Sequence, residues 1–399
     1  MQDKLKIKNL HLAESLPDSI VNIEDKIRNN MFTWRGQFSP QLIEHILINY
    51  SSKNDVVFDP FVGSGTVLYE CALNKLEASG CEINPAAVSF AKIYELVNQP
   101  KEKINNALKQ LDSIIYSHID DLPLFNNSET TVFEEQLIDV LNNTENEIMK
   151  IILMAYVTGM DFKTKKTDTK RIHSVWNSLK NNINNLPYSN KKISCYQSDS
   201  RKSPLQDNSV NLVITSPPYI NVFNYHQNYR KSVELIGIDV LKIAKSEIGA
   251  NRKFRQNRFL TVVQYCMDIS QVFIELRRVC KTNAKIIFIV GRESNVKKTA
   301  FKNAKLITSV ASQCGFNLEG SQERVFKNKF GNLIYEEILR FSINRHFLNS
   351  KLDFGRDIGR KALNDALSYA NSDVITDIKD AYIKSKNIKT SPILEAKGI

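Results

Sequence analysis

One stretch restricts the fold of this chain more than any other. Residues 55–58, with Val56, Val57 and Phe58 in a row, are a short buried-strand candidate. They lead directly into Asp59-Pro60-Phe61-Val62-Gly63-Ser64-Gly65-Thr66, and an apolar helical segment follows from Val67 to Leu73. Strand, glycine-rich turn and helix make the layout of a nucleotide-binding first βα unit. The glycines let the backbone approach a ligand closely. A second strand, Glu77 to Cys81, ends at Glu82. An acid there, about 20 residues past the turn, suits a ribose diol. Asn84-Pro85 then opens a helix running to about Val97. A lone Gly-x-Gly means little, but this ordered series is a specific signal.

A second signal lies far downstream. The apolar run Val210 to Ile214 reads as a buried strand and ends in Thr215-Ser216-Pro217-Pro218-Tyr219. Two prolines stiffen the loop and remove two N–H donors, leaving carbonyls as fixed acceptors. Ser216 adds a short hydroxyl and Tyr219 a flat ring. Together they suit a planar group carrying an NH2, with acceptors for its hydrogens and a ring to stack on. Alone, the pentapeptide reads equally well as a Pro-rich turn.

The chain has 399 residues, of which 42% are hydrophobic, enough to bury a real core. Lys and Arg outnumber Asp and Glu by 54 to 43, a formal charge of +11. An excess of that size favours a polyanion such as nucleic acid, or forms a solvated basic surface. Six scattered cysteines without a Cys-x-x-Cys pair suggest neither a zinc site nor a disulfide framework. The start lacks a signal peptide's apolar core, and no run is long enough for a membrane span, so a cytoplasmic protein is expected.

Between the two signals the pattern turns helical. Ile104, Leu108, Leu111 and Ile115 share one face, and Phe133 to Leu141 and Ile148 to Val157 are further helical runs. This reads as a helical insertion in an α/β domain. Its basic residues Lys163, Lys165, Lys166, Lys170 and Arg171 either contact phosphates or sit in a solvated loop. Upstream, Ser39-Pro40 starts a helix that is either a capped surface helix or one whose N-terminal N–H groups are available to an anion. After Tyr219 comes a segment of aromatic and basic residues: Tyr225, His226, Tyr229, Arg230, Lys245, Arg252, Lys253, Arg255 and Arg258. That mixture fits a nucleic-acid-facing surface, with His226 read as a surface histidine near a phosphate. A helix from Leu260 to Val279, a strand from Ala284 to Val290, a helix from Leu306 to Cys314 and a closing hairpin follow. The tail from His346 shows weak helical signals. The expected division is 1–98 with the cofactor motif, 99–189 as an insertion that takes part in target recognition, 190–343 with the catalytic loop, and 344–399 as a helical extension.

With both motifs in view, the sequence resembles the S-adenosylmethionine-dependent, amino-methylating DNA methyltransferases of restriction–modification systems. The resemblance covers about residues 30–98 and 190–342. It implies a Rossmann-like class I methyltransferase fold, a mostly parallel seven-stranded sheet with an antiparallel final hairpin. It implies that Asp59, Pro60, Phe61, Gly63, Ser64 and Gly65 form the cofactor motif. Asp59 is then at the methionine end, Glu82 at the ribose hydroxyls and Asp199 at the adenine amino group, with Phe38 and Ser39 near the methionine carboxylate. Ser216, Pro217, Pro218 and Tyr219 resemble the catalytic loop, and serine at its first position is typical of cytosine-N4 enzymes. The order of the two motifs and the long insertion depart from many cytosine-N4 members.

The chemistry so implied is methyl transfer to the exocyclic N4 of a cytosine flipped out of duplex DNA and stacked on Tyr219. It calls for no metal and no cysteine nucleophile. Adenine-N6 methylation of DNA and base methylation of RNA are the alternatives, and a non-catalytic nucleic-acid-binding protein is a third. Double-stranded DNA is the expected partner, and a cognate restriction endonuclease would act independently.

Overall fold

The computed structural model describes residues 8–23, 27–120, 127–162, 165, 167–220, 224–250, 253–328, 331–344, 346–347 and 353–395. Its centre is a seven-stranded sheet built from β1 (Val56–Asp59), β2 (Glu77–Glu82), β3 (Ile193–Gln197), β4 (Val210–Thr215) and β5 (Cys280–Gly291). A small hairpin, β6 (Glu293–Val296) and β7 (Thr299–Lys302), follows, and β8 (Phe316–Lys327) and β9 (Leu333–Ile343) complete the sheet. The strand order is β3-β2-β1-β4-β5-β9-β8. The first five strands run parallel, and β9 pairs antiparallel with β5 and with β8. This is the mostly parallel sheet with an antiparallel closing hairpin that the resemblance implies.

The alternation of side chains explains why both faces are covered. Val57, Leu212, Ile287 and Ile289 enter one core, while their neighbours Phe58, Val213, Ile286 and Phe288 enter the other. The first core receives the helix Pro40–Tyr50 and the four helices between Lys101 and Asn184, through Leu108, Leu111, Ile152 and Trp176. Trp176 donates its indole N–H to Asp112 at 2.6 Å, so its polar end is satisfied inside that packing. The second core receives the helices Leu260–Val279 and Asn303–Gln313 and, from the tail, Phe354–Ala366 and Ile375–Lys384. Gly359 lets the first tail helix lie against Leu260–Val279, because a Cβ there would stand 2.5 Å from Val263 Cα.

The structure departs from the sequence reading in three places. The segment after Asn84 is an α-helix only over Pro85–Ala91 and tightens into a 3-10 helix over Lys92–Asn98. Strand β5 begins at Cys280, four residues before the apolar run, because Val210 of β4 pairs with Cys280. The hairpin β6–β7 lacks a hydrophobic pattern long enough to show. Among the described residues, no helix is long and apolar enough to cross a membrane.

Candidate active site

Strands β1 and β4 are neighbours in the sheet, and the chain leaves β1 toward β2 on the other side. The carboxyl ends of β1 and β4 therefore flank the crevice where open α/β sheets bind ligands. A cleft of about 890 Å3, counting its open mouth, lies there. Its walls bring together well-separated segments: Trp34 to Phe38, Pro60 to Ser64, Glu82 to Asn84, Ser198 to Ser200, Ser216 with Pro218, and Ser246 to Ile248.

The turn after β1 is shaped by two glycines of positive φ, Gly63 at 52° and Gly65 at 94°. Gly65 serves packing, since a Cβ there would come within 2.6 Å of the Tyr94 ring. Neither Gly65 nor Asp59 lines the cleft, whereas Pro60, Phe61, Gly63 and Ser64 do. The Asp59 carboxylate is buried and accepts hydrogen bonds from the Phe61 N–H at 3.0 Å and the Thr215 hydroxyl at 2.6 Å. It ties the cofactor turn to the end of β4, instead of facing a methionine group as the resemblance assigned it. Burial pushes its carboxyl up to about 7. Glu82 does reach the cleft. It accepts from the N–H groups of Gly63 at 3.1 Å and Asn84 at 2.8 Å, and burial pushes it up to about 7 as well.

Residues 34–38 close over this turn. Gln37 donates to Ser64 Oγ and to the Phe32 carbonyl, both at 2.6 Å, and Trp34 lies 3.5 Å from where a Gly63 side chain would be. Phe38 lines the cleft, and Ser39 begins the helix Pro40–Tyr50. The Ser39 hydroxyl is buried without a protein hydrogen-bond partner. Ser39 itself does not line the cleft; the cleft lining combines the Glu82 carboxylate with apolar Phe61, Ile83 and Ile248, a mixture that suits a ribose and a flat base.

Ser216 and Pro218 line the same cleft, and Pro217 is buried behind them. Tyr219 turns inward. Its hydroxyl lies 3.2 Å from Ser216 Oγ, and its ring covers Gly291, where a Cβ would approach to 3.2 Å. Burial raises the phenol well above its usual range, and the nearby Glu336 adds to the shift. Tyr219 does not line the cleft: its ring covers Gly291, and its backbone carbonyl packs against Gly249. Trp34 and Tyr225, which line the cleft, have rings near parallel at 14°, and the Tyr229 ring is near parallel to Trp34 at 11°. Sequence spacing does not reveal this stack, since its members are almost 200 residues apart.

Residues 2–93 match the N6/N4 methyltransferase family model described as DNA methylase. The match includes Ser39, the turn 59–65 and Glu82, and ends before the loop at Ser216. Type II methyltransferase M.MjaII of Methanocaldococcus jannaschii is 20% identical over 394 residues, spanning 69% of this chain and 74% of that protein. Type II methyltransferase M.BsoBI of Geobacillus stearothermophilus is 22% identical over 335 residues, spanning 67% of this chain and 64% of that one. Over residues 2–93 the chain is similar to the N6/N4 DNA methylase family, and over about two thirds of its length to these type II methyltransferases. Among solved structures, a SAM-dependent methyltransferase from Methanosarcina mazei is similar with a TM-score of 0.35 and 11% identity, over 75% of this chain and 97% of that one. These similarities support amino-group DNA methylation as the activity class, without choosing between N4 and N6.

Around the cleft, several residues have partners that the sequence reading did not foresee. Asp199 lines the cleft, but its oxygens accept from Arg201 Nε at 2.8 Å, Arg201 Nη2 at 2.6 Å and the Leu394 N–H at 3.0 Å. Both Asp199 oxygens are thus already engaged by the protein. His226 is buried, and both its N–H and its Nδ1 meet the Glu247 carboxylate, at 2.9 and 3.0 Å; it is not a surface histidine. Lys253 is no free phosphate contact. Its ammonium donates to the Glu247 carbonyl at 2.7 Å and to Ser391 Oγ, and burial pushes it down to about 8. Arg230 pairs with Glu234 at 2.7 Å. Lys245, Arg255 and Arg258 are exposed, and Arg252 lies outside the described residues. In the insertion, Arg171 folds onto the Gly159 and Met160 carbonyls, Lys165 and Lys170 are exposed, and Lys163 and Lys166 lie outside the described residues. All six cysteines are buried and free. No cluster of metal-ligating side chains occurs among the described residues.

Proposed function

We propose that this chain transfers a methyl group from S-adenosylmethionine to the exocyclic N4 of a cytosine flipped out of duplex DNA, as the modification enzyme of a restriction–modification system. The observation that carries this reading is the Ser216 hydroxyl, on the wall of the cleft that also holds Phe61, Ser64 and Glu82. Bound S-adenosylmethionine supplies an electrophilic methyl group. The chain's own work is positioning. Glu82 offers carboxylate oxygens to ribose hydroxyls, Phe61 and Ile248 give the base apolar cover, and Phe38 faces the amino-acid end, with the Ser39 hydroxyl buried behind it.

An exocyclic amino nitrogen is a poor nucleophile because its lone pair is delocalised into the ring. Ser216 Oγ and the Pro217 carbonyl accept its two N–H bonds and draw the nitrogen toward tetrahedral geometry, which frees the lone pair. Tyr219 fixes the Ser216 rotamer through the 3.2 Å contact between the two hydroxyls. The prolines fix the carbonyl. This is catalysis by orientation in a closed site. The Trp34 stack gives the extruded base a ring to lie on, and exposed Lys245, Arg255 and Arg258, with the helical insertion 99–189, supply contacts to the DNA backbone and target sequence.

The test is incubation with radiolabelled S-adenosylmethionine and unmethylated bacterial DNA, followed by nucleoside analysis. N4-methylcytosine is the expected product. N6-methyladenine would keep the cleft and overturn the role given to Ser216, and label only in structured RNA would overturn the substrate.

A further inference from the structure

The last described residues of the chain return to the cleft wall. Arg201 is buried, and its guanidinium has five partners: the Asp199 carboxylate, Asp268 Oδ1 at 3.3 Å, the carbonyls of Ser391 and Pro392, each at 2.8 Å, and the Ser246 carbonyl at 3.4 Å. Ser391 is buried too, and gives its N–H to Asp268 at 2.8 Å and its hydroxyl to Asp268 at 2.5 Å. Gln264 holds the Lys389 carbonyl at 2.8 Å, and the Leu394 N–H donates to Asp199 Oδ2 at 3.0 Å. Lys253 joins Ser391 Oγ to the Glu247 carbonyl on the facing wall.

Two carboxylates and the Arg201 guanidinium are thus buried together around a peptide strap, with half-buried Lys253 at their edge. Most of the strap's bonds are made by its backbone, so its path matters more than its side chains. A guanidinium with a fixed planar fork can hold a carboxylate at a set angle only if its other N–H groups are also held. Here the strap's carbonyls hold them. On the reading that the cleft takes S-adenosylmethionine, Asp199 is the acceptor on its adenine wall. We infer that the strap formed by residues 389–394 is a working part of the cofactor site: it locks Arg201, and through Arg201 and the Leu394 N–H it orients the Asp199 carboxylate toward the cleft. Arg201 is a positioning residue, and cofactor affinity depends on the chain's own C-terminal segment.

Leu394→Pro removes one N–H donor at an unstructured position near the chain end, and Leu394→Ala keeps it. Full-length wild type and both variants are titrated with S-adenosylmethionine by calorimetry and, separately, with duplex DNA by fluorescence anisotropy. The expected result is an affinity for S-adenosylmethionine about tenfold lower in Leu394→Pro, restored in Leu394→Ala, with DNA affinity unchanged. In turnover the loss falls on KM for S-adenosylmethionine, with kcat retained. Unchanged cofactor affinity in Leu394→Pro overturns the inference while leaving the cleft assignment intact; a wild type that takes up no S-adenosylmethionine overturns the cleft assignment itself. Hydrogen exchange on the wild type gives a second reading that needs no variant. Coupling is reciprocal, so bound S-adenosylmethionine must slow exchange at the amides of Ser391 and Leu394. Unaltered exchange at those amides also overturns the inference.

Discussion

The cofactor turn and the catalytic loop stand side by side at the ends of β1 and β4, yet they are built differently. The turn 59–65 is shaped mostly by what lies close in sequence: its own glycines, the Phe61 N–H and Glu82, which is 19 residues from Gly63. The loop 215–219 owes its shape to partners far along the chain. Asp59 holds Thr215 across 156 residues, and Gly249, Gly291 and Glu336 enclose Tyr219. A motif of the first kind is legible as a string. One of the second kind is legible as a list of residue types, but the direction in which each side chain points is not.

The sharpest test of the self-contained turn is Gly65→Val. The added carbons meet the Tyr94 ring at a φ that L side chains rarely adopt, and a loss of about 3–4 kcal/mol in folding stability is expected from chemical denaturation. A variant as stable as wild type would break the claim that this glycine serves packing. For the catalytic loop, Ser216→Ala should lower kcat about a hundredfold, with S-adenosylmethionine binding unchanged, since it removes one positioned acceptor at the reacting nitrogen. Equal losses in kcat and in cofactor affinity would mean that the two regions are not separable.

Tyr219→Phe keeps the ring over Gly291 and removes only the hydroxyl facing Ser216. A fall in kcat of about tenfold is expected, and a much larger fall for Tyr219→Ala. If the two variants are equally impaired, the ring has no part beyond the hydroxyl.

The smallest effect concerns the bond joining the two regions. Asp59 titrates near 7 in the folded chain against an ordinary value of 3.8, so between those values the folded state holds a proton that the unfolded state lacks. Stability from this group is complete below pH 4 and is lost as pH rises through 7. Asp59→Asn cannot titrate and retains an acceptor for Phe61 and Thr215. Its melting temperature should fall less between pH 5 and pH 8 than that of wild type; a parallel fall would show that Asp59 is ionised throughout.

How much could be read beforehand follows from the same contrast. β1, β2, the glycine turn, β4 and the β8–β9 hairpin each carry their own period or turn chemistry, and all appear in the structure. The basic segment was legible only as charge. Lys253 looks like Arg255 and Arg258 in the sequence, yet it is drawn inward because Ser391, 138 residues away, and the Glu247 carbonyl need a donor. Arg201 carries no signal at all: its burial makes sense only once Asp268 and the carbonyls of Ser391 and Pro392 surround it. His226 was misplaced for the same reason, since Glu247 supplies the partner that lets an imidazole leave the surface.

The strand order has a further consequence, for the chain's birth rather than its chemistry. β1 and β2 lie between β3 and β4, so the first pair of strands synthesised is flanked on both sides by strands made much later. About 130 residues must be added after Glu82 before Thr215 can bond to Asp59. At ribosomal speeds of roughly 5–20 residues per second, the glycine turn waits on the order of ten seconds with unpaired strand edges. The helical insertion emerges during that interval. Its apolar faces pack into the same core as Val57 and Ala78, which makes it a cover for those strands until β4 arrives.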